Sequence, residues 1–349
     1  TKKKLLEAAA GAAGGEAVYV DDVFSTYLYK GNGSTQTITN GIDLSGEGGL
    51  VWIKGRDDGA HSHCLYDTER GVTSQLNTNY NAAVTTTSSS STQDFVSFNS
   101  NGFSLGAPWN TGNLNGTAMT KITSWTFRKQ PGFFDIVTYT GNGTTSRDIN
   151  HNLGSAPGAI IIKRTDNTSD WTFQHRYNGN YVQYLNSTAA RSDSGATLQF
   201  NSTNFKVVGP PSGLADAKCT NVNGATYVAY LFAHDAQDFG EDSDEAIIKC
   251  GSFTTTSTWG NFKEDLGFEP QWLLVKRTDS TDNWVMLDMM RGVTGPGDQA
   301  LVDTGMFGGD SDDQELQANS SAAESTQGRG GFYSQGYLGN FGGFANATY

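Results

Sequence analysis

Two stretches of the sequence align without a gap: LGSAPGAIIIKRTD at residues 153–166 and LGFEPQWLLVKRTD at residues 266–279. In each, four apolar residues lie between a turn and a Lys-Arg pair, and a tryptophan (Trp171 or Trp284) follows at the same distance. A weaker copy, LSGEGGLVWIKGRD, occupies residues 44–57. The copies begin 109 and 113 residues apart, which is the size of a domain and larger than a solenoid repeat. The sequence therefore predicts three copies of one fold.

Further matches surround this repeat and indicate its fold class. Residues 29–33 match residues 139–143, a strand followed by an Asn-Gly turn that we interpret as a hairpin turn. Residues 98–103 match residues 200–205, two short apolar strands around a turn. Short apolar strands with frequent turn signals are typical of a sandwich. We predict an all-β chain of tandem β-sandwich (jelly-roll or lectin-like) modules of about 105 residues each, preceded by a short N-terminal helix at residues 2–10.

The matches also divide the chain. We predict an N-terminal anchor segment (residues 1–20), repeat 1 (21–130), repeat 2 (131–236), and an acidic linker with repeat 3 (237–349); the three repeats are called modules 1, 2 and 3 below. Modules 1 and 2 each end in a predicted strand, at residues 122–129 and 227–234.

Module 3 lacks such a closing strand. Residues 346–349 align with the start of the closing strand of module 2, where the Asn-Gly turn leads into Thr226 and Tyr227. A module without its last strand leaves an edge and part of its core open. We therefore expect the natural chain to continue past Tyr349.

Composition excludes several classes of protein. The net charge of −13 over 349 residues argues against a nucleic-acid partner, because phosphate binding needs a basic face. The three cysteines, Cys64, Cys219 and Cys250, are too few and too widely spaced for a disulfide framework, which favours a reducing compartment. Apolar runs are of strand length, so no membrane insertion is predicted. No phosphate-cradling glycine loop, nucleophile elbow or zinc-protease motif is present, and we predict no catalytic residue and no cofactor.

Two groups of residues invite a metal hypothesis. His61, His63 and Cys64 could supply ligands from one strand, whereas the alternative is a loop leading into a strand with solvent-facing histidines. The acidic clusters at residues 238–245 and 310–313 could bind calcium, but neither fits a twelve-residue calcium loop, and solvated loops are the alternative. We predict no metal site in either place.

The repeated side chains have two possible roles. Trp171 and Trp284 could stack on sugars, but their equivalence in two modules favours a shared core position. The basic residues after each central strand could line a binding surface, or could pair with the aspartate that follows. These basic residues and aspartates are Lys54, Arg56 and Asp57 in module 1, Lys163, Arg164 and Asp166 in module 2, and Lys276, Arg277 and Asp279 in module 3. We favour pairing.

An Asp-x-x-Arg-Gly element occurs in two of the modules. It contains Asp67 and Arg70 in module 1 and Asp288 and Arg291 in module 3, whereas module 2 has no such element. We interpret both as local ion pairs that hold a turn, worth little energy if they are exposed.

Three stretches carry a resemblance to a family. Residues 2–11, 19–29 and 49–56, together with the module pattern YTGNG…LG…P…KR…W, are similar to virion structural (tail-fibre-like) proteins of marine tailed bacteriophages and cyanophages with tandem β-sandwich repeats. The resemblance covers nearly the whole chain. It implies assembly in the host cytoplasm and location in the virion, on the tail, with the N-terminal segment docked on a tail, baseplate or capsid protein. It brings no catalytic residues.

Three functions remain open on these grounds. The first is a non-enzymatic tail fibre or tail appendage that presents its modules for host attachment, assembled as a homo-oligomer that we expect to be a trimer. The second is a capsid decoration or head-fibre protein. The third, from another class, is a carbohydrate-binding or depolymerising tailspike that acts on host surface glycans.

Overall fold

A computed structural model provides the structure of the chain and describes residues 17–57, 59–86, 94–107, 114–193, 199–209, 219–255, 263–291, 314–326, 331–333, 337–339 and 347–349. The helix predicted at residues 2–10 lies outside these ranges. A short helix, α1 (Val20–Val23), precedes the first strand. No helix in the described part of the chain is both long and apolar enough to span a membrane.

Module 1 is built from two antiparallel sheets. The large sheet has the order β1-β9-β3-β4-β5-β6, and the small sheet has the order β2-β8-β7. The strands are β1 (Phe24–Tyr29), β2 (Gln36–Thr39), β3 (Gly49–Gly55), β4 (Cys64–Asp67), β5 (Ser74–Asn77), β6 (Thr85–Thr86), β7 (Phe95–Asn99), β8 (Gly102–Leu105) and β9 (Ile122–Arg128). One buried apolar cluster draws residues from both sheets, as a β-sandwich requires.

Module 2 repeats this arrangement. Its large sheet has the order β10-β17-β12-β13-β14-β15, and β11 pairs with β16 in the small sheet. The strands are β10 (Phe134–Thr140), β11 (Arg147–Asn150), β12 (Ala159–Arg164), β13 (Thr172–His175), β14 (Tyr181–Tyr184), β15 (Ser192–Asp193), β16 (Asn204–Val207) and β17 (Thr226–Phe232). The strand order of the large sheet of module 2 is that of module 1, position by position, whereas the small sheet has two strands instead of three.

Module 3 has the shorter large sheet β19-β20-β21-β22 and a small sheet β18-β24-β23. Its elements are β18 (Lys263–Asp265), β19 (Trp272–Lys276), β20 (Trp284–Asp288), a 3₁₀ turn (Met289–Arg291), β21 (Gln314–Gln317), β22 (Ser325–Thr326), β23 (Gly331–Tyr333) and β24 (Tyr337–Gly339). The central strands β3, β12 and β19 correspond. On one side of β3 lie β9 and then β1, and on the same side of β12 lie β17 and then β10. On that side β19 has no strand partner among the described residues.

The central strands are apolar on both faces, and the packing explains why. On β12, Ile160 and Ile162 lie in the sandwich core of module 2. Ile161 points the other way, into a cluster that it shares with Trp52 of module 1 and Met286 of module 3. The outer faces of all three large sheets therefore meet in one common core. A strand covered on both faces needs a continuous apolar run instead of an alternating one.

One local prediction is wrong. The Asn-Gly turns at residues 32–33 and 142–143 do not join paired strands, because β1 pairs with β9 while β2 pairs with β8 in the other sheet. Each turn instead carries the chain from one sheet to the other. In module 1, Asn115 accepts a hydrogen bond from the amide of Asn32, and in module 2 Asn221 accepts the equivalent bond from Asn142. A buried asparagine fixes each crossing.

Candidate functional site

Three equivalent lysines connect the modules. Each lies at the end of a central strand, and its ammonium group donates a hydrogen bond to a backbone carbonyl of another module. The pairs are Lys54 Nζ to Ser321 O at 3.1 Å, Lys163 Nζ to Asn81 O at 3.2 Å, and Lys276 Nζ to Thr188 O at 3.1 Å. Module 1 thus reaches module 3, module 2 reaches module 1, and module 3 reaches module 2. The three modules form a closed ring.

Backbone hydrogen bonds follow the same cycle. The amide nitrogens of Val84, Arg191 and Glu324 donate to the carbonyl oxygens of Thr165, Thr278 and Arg56, over 2.9, 3.1 and 2.9 Å respectively. Donors and acceptors occupy equivalent places in the three modules. We call each of these contact regions a joint: 1–2, 2–3 and 3–1.

Burial has an electrostatic cost at the joints. It lowers the pKa of Lys163 and of Lys276 to about 8 each, because the charged ammonium group is removed from water. The lysines donate to carbonyl oxygens, so the prediction that they pair with the following aspartates is wrong for them. It is confirmed for the arginines, since Arg164 contacts Asp166 at 2.9 Å and Arg277 contacts Asp279 at 2.6 Å.

Module 1 departs from that arginine pattern. Asp57 accepts hydrogen bonds from the backbone and hydroxyl of Thr120, which lower the pKa of its carboxyl group. Arg56 pairs with Glu324 of module 3 at 2.7 Å instead, and both side chains are mostly buried. The basic residue at this position therefore belongs to joint 3–1.

The repeated tryptophans also lie at joints. Both are buried, which confirms the core position and leaves no ring face for a sugar. Trp171 donates from Nε1 to Asn77 O and Tyr80 O of module 1, and Trp284 donates to Tyr184 O of module 2.

His63 holds the equivalent place in module 1. Its Nδ1 accepts a hydrogen bond from Trp52 Nε1 at 2.9 Å, so its Nε2 carries the proton and donates to Gln317 O of module 3 at 3.1 Å. Burial lowers the pKa of His63 well below its usual range. The alternative of solvent-facing histidines is wrong, because His61 and His63 are both buried. Burial likewise raises the pKa of the neighbouring Cys64 thiol to about 12.

The Asp-x-x-Arg elements form the local ion pairs that their sequence spacing predicted, and both pairs are buried. Asp67 contacts Arg70 at 2.6 Å with both side chains buried, and Tyr230 of module 2 donates its hydroxyl to Asp67 Oδ2 at 2.7 Å. In module 3, Asp288 contacts Arg291 at 2.5 Å, and Trp125 of module 1 donates to Asp288 Oδ2 at 2.9 Å. An aromatic residue of the next module therefore completes each pair.

Arg291 carries a second contact at joint 3–1. It also contacts Glu324 at 3.1 Å, and its guanidinium group lies 5.4 Å from the centre of the Trp125 ring. Asp288, Arg291, Glu324 and Arg56 thus form one buried chain of alternating charges. Such a chain is stable only while every member keeps its partner.

The first acidic cluster, at residues 238–245, lies in a turn. Residues 241–245 are exposed, and Phe239 anchors the turn before them in the common core. The second cluster, at residues 310–313, lies outside the described residues. In the described ranges no group of three His, Cys, Asp or Glu side chains is placed to hold a metal ion. All three cysteines are free thiols.

Module 2 differs from the other modules at one loop. Strand pairing places His175 where Asp67 and Asp288 lie in modules 1 and 3. Two tyrosines that follow are exposed, Tyr177 (55%) in the loop and Tyr181 (42%) at the start of β14.

An arginine covers one face of each ring. The Arg176 guanidinium lies 5.3 Å from the centre of the Tyr177 ring, and that of Arg191 lies 5.0 Å from the Tyr181 ring. We call Arg176, Tyr177, Tyr181 and Arg191 the tyrosine surface. Sequence reasoning missed it, although the absence of Asp-x-x-Arg from module 2 marked the position.

Comparison with known proteins does not name an activity. No curated protein and no solved structure matches the chain. One family does match, over residues 20–337, and it is described as a domain of unknown function, DUF7483. Since that match covers most of the chain and extends into all three modules, the chain belongs to the DUF7483 family.

Proposed function

We propose that the chain is a non-enzymatic structural protein of a bacteriophage virion, a tail fibre or tail appendage that presents β-sandwich modules to the host surface. The observation that carries the proposal is the pairing of buried charged side chains at the joints. Asp67, Asp288 and Glu324 are each held by an arginine inside a joint. Buried, fully paired charges serve to fix the order and orientation of modules, which suits a particle component that must keep its shape.

The ring supports the same role. Three modules around one core bury their central strands on both faces, so the joints resist bending better than flexible linkers would. In this proposal the N-terminal segment (residues 1–20) docks on a tail, baseplate or capsid protein. The chains assemble as a homo-oligomer, with a trimer as the expected state.

The tyrosine surface is the proposed contact with the host. Exposed tyrosines offer flat apolar faces with a hydroxyl group at the edge, which suits stacking on a sugar ring. Flanking Arg176 and Arg191 add positive charge to a chain of net charge −13. An acidic surface glycan fits this combination.

Immunogold labelling tests the virion role. Antibody raised against residues 133–235 is applied to purified phage particles. Label on the tail is the expected result. Label spread over the head would assign the protein to capsid decoration, and intact particles without label would refute a virion role altogether.

A glycan-binding assay tests the tyrosine surface. Replacing Tyr177 and Tyr181 together with alanine is expected to weaken binding to host-envelope glycans at least about tenfold, since each stacked ring contributes on the order of 1 kcal/mol. Tyr80→Ala is the matched control, because Tyr80 is equally exposed (53%) but lies in module 1. Equal loss in the control would refute the assignment, and release of soluble glycan by the native protein would favour the depolymerase alternative.

A further inference from the structure

A groove lies along the edge of β19 that has no strand partner among the described residues. It runs between residues 247–253 and β19, has a cavity volume of about 380 Å³, and is largely apolar. Its walls include Ile248, Cys250, Leu274 and Phe232. The indole Nε1 of Trp272, on the same wall, is buried with no hydrogen-bond partner in the described part of the chain.

In the other modules a strand fills the equivalent space. In module 2, β17 lies between β10 and β12 and pairs with both, so that Tyr230 is opposite Ile136 on one side and Ile161 on the other. In module 1, β9 lies between β1 and β3 in the same way. The groove of module 3 therefore lies where β17 lies in module 2, between β19 and residues 247–253.

Residues 347–349 already hold the first positions of that strand. Tyr349 and Phe253 exchange backbone hydrogen bonds, and the amide of Thr278 donates to Thr348 O at 2.7 Å. In module 2 the corresponding bond runs from Thr165 to Thr226 O at 2.8 Å.

Ring stacking confirms the register. The rings of Phe253 and Tyr349 stack with centres 5.1 Å apart, as those of Tyr139 and Tyr227 do at 5.0 Å. Tyr349 thus matches Tyr227, the second residue of β17.

We propose that this groove accepts one further β-strand, in line with Tyr349 and with the side-chain alternation of β17. By the register of module 2, the first, third and fifth residues of a strand appended after Tyr349 would face the common core, as Val228, Tyr230 and Phe232 do. The second and fourth would face the core of module 3, as Ala229 and Leu231 face that of module 2. The fifth residue would lie opposite Trp272.

The strand would also complete joint 2–3. At the other joints the closing strand of one module supplies an aromatic side chain to its neighbour, Tyr230 to Asp67 and Trp125 to Asp288. The third residue of the appended strand would take the equivalent position, on a groove whose walls include His175 and Asn178 of module 2. The strand would therefore contribute to joint 2–3 in the way that β17 and β9 contribute to the other two joints.

A covalent extension tests the proposal. Val-Ala-Tyr-Leu-Phe-Ala, a copy of residues 228–233, is appended after Tyr349. The control extension, Ala-Val-Leu-Tyr-Ala-Phe, has the same composition but places every large side chain on the opposite face. The first extension is expected to slow amide hydrogen exchange in β19 and in residues 247–253 at least about tenfold relative to the 349-residue chain, and the control is expected to leave exchange unchanged. Equal effects of the two extensions, or none from the first, would overturn the proposal.

Two further measurements distinguish a covalently linked strand from a free peptide and test the 349-residue chain itself. The same hexapeptide added free at equimolar concentration is expected to protect nothing, because it lacks the high local concentration of a covalent strand. Protection by the free peptide that equals the extension would overturn the covalent arrangement. In the 349-residue chain itself, exchange in β19 is expected to be faster than in the matched strand β12, and equal protection of the two strands would also overturn the proposal.

Discussion

Replacing Tyr230 with phenylalanine removes one hydroxyl group from joint 1–2 and leaves the ring in place. That hydroxyl donates to Asp67 Oδ2 at 2.7 Å and accepts from Arg70 Nη2 at 3.1 Å. Hydrogen bonds to buried charged groups contribute about 1.5–3 kcal/mol each. Asp67 keeps its ion pair with Arg70, so we expect Tyr230→Phe to lower the free energy of unfolding by about 2 kcal/mol.

Tyr139→Phe is the matched control. Tyr139 is also buried, and its hydroxyl donates at 2.7 Å to a neutral acceptor inside the same module, Thr220 O. Loss of such a bond costs about 1 kcal/mol. Denaturant unfolding measures both costs, and amide hydrogen exchange locates them. Tyr230→Phe is expected to accelerate exchange in β4 of module 1 as well as in β17, whereas Tyr139→Phe is expected to affect module 2 alone.

The coupling can be measured directly. Asp67→Asn leaves Arg70 as a buried unpaired charge and is expected to cost about 3–5 kcal/mol. In that background the cost of Tyr230→Phe is expected to fall, because the charged acceptor of its hydroxyl is gone and only the bond from Arg70 remains. If Tyr230→Phe costs no more than Tyr139→Phe, or leaves exchange in module 1 unchanged, Tyr230 does not stabilise the joint as argued.

Two further predictions concern acid and backbone conformation. Burial holds the pKa of His63 well below its usual range and that of His175 at about 4, so between pH 6.5 and 4 the unfolded chain binds protons that the folded chain does not. The free energy of unfolding should then fall as the pH falls through this window, by about 3 kcal/mol from His175 alone, and a pH-independent denaturant midpoint would contradict this. Gly102→Ala should cost more than about 2 kcal/mol in thermal unfolding, because φ is +128° and a Cβ would overlap the carbonyl oxygen of Ile38. Gly71→Ala, at φ +82° with open space around it, should cost only about 1 kcal/mol, and equal costs would refute the steric explanation.

The sequence repeat predicted the all-β fold and the equivalence of Trp171 with Trp284 because strand patterns and spacings are local properties. It could not predict the joints. The acceptors for Lys163 and Trp171 include the backbone carbonyls of Asn81 and Asn77, and a carbonyl acceptor leaves no trace in the sequence since every residue has one.

The same limit applies to the burial of the Asp-x-x-Arg elements. Sequence spacing places Asp67 three residues before Arg70 and predicts the ion pair, but its burial depends on another module packing over it. The Asn-Gly turns misled for a related reason. A turn signal shows that the chain reverses, whereas the partner of β1 is β9, nearly a hundred residues away.

The differences between the modules show how a ring of similar units fixes its order. Lysine-to-carbonyl contacts are the same at every joint, so they cannot distinguish one neighbour from another. The buried carboxylates can distinguish one neighbour from another. Asp67 accepts a hydrogen bond from a tyrosine hydroxyl, Asp288 accepts one from an indole and belongs to the chain of alternating charges, and module 2 has His175 at the equivalent position. Exchanging two modules would put a carboxylate or an arginine against the wrong side chain and leave a buried charge without its partner, at a cost of several kcal/mol. The shared contacts therefore close the ring, and the unequal ones determine which module lies beside which.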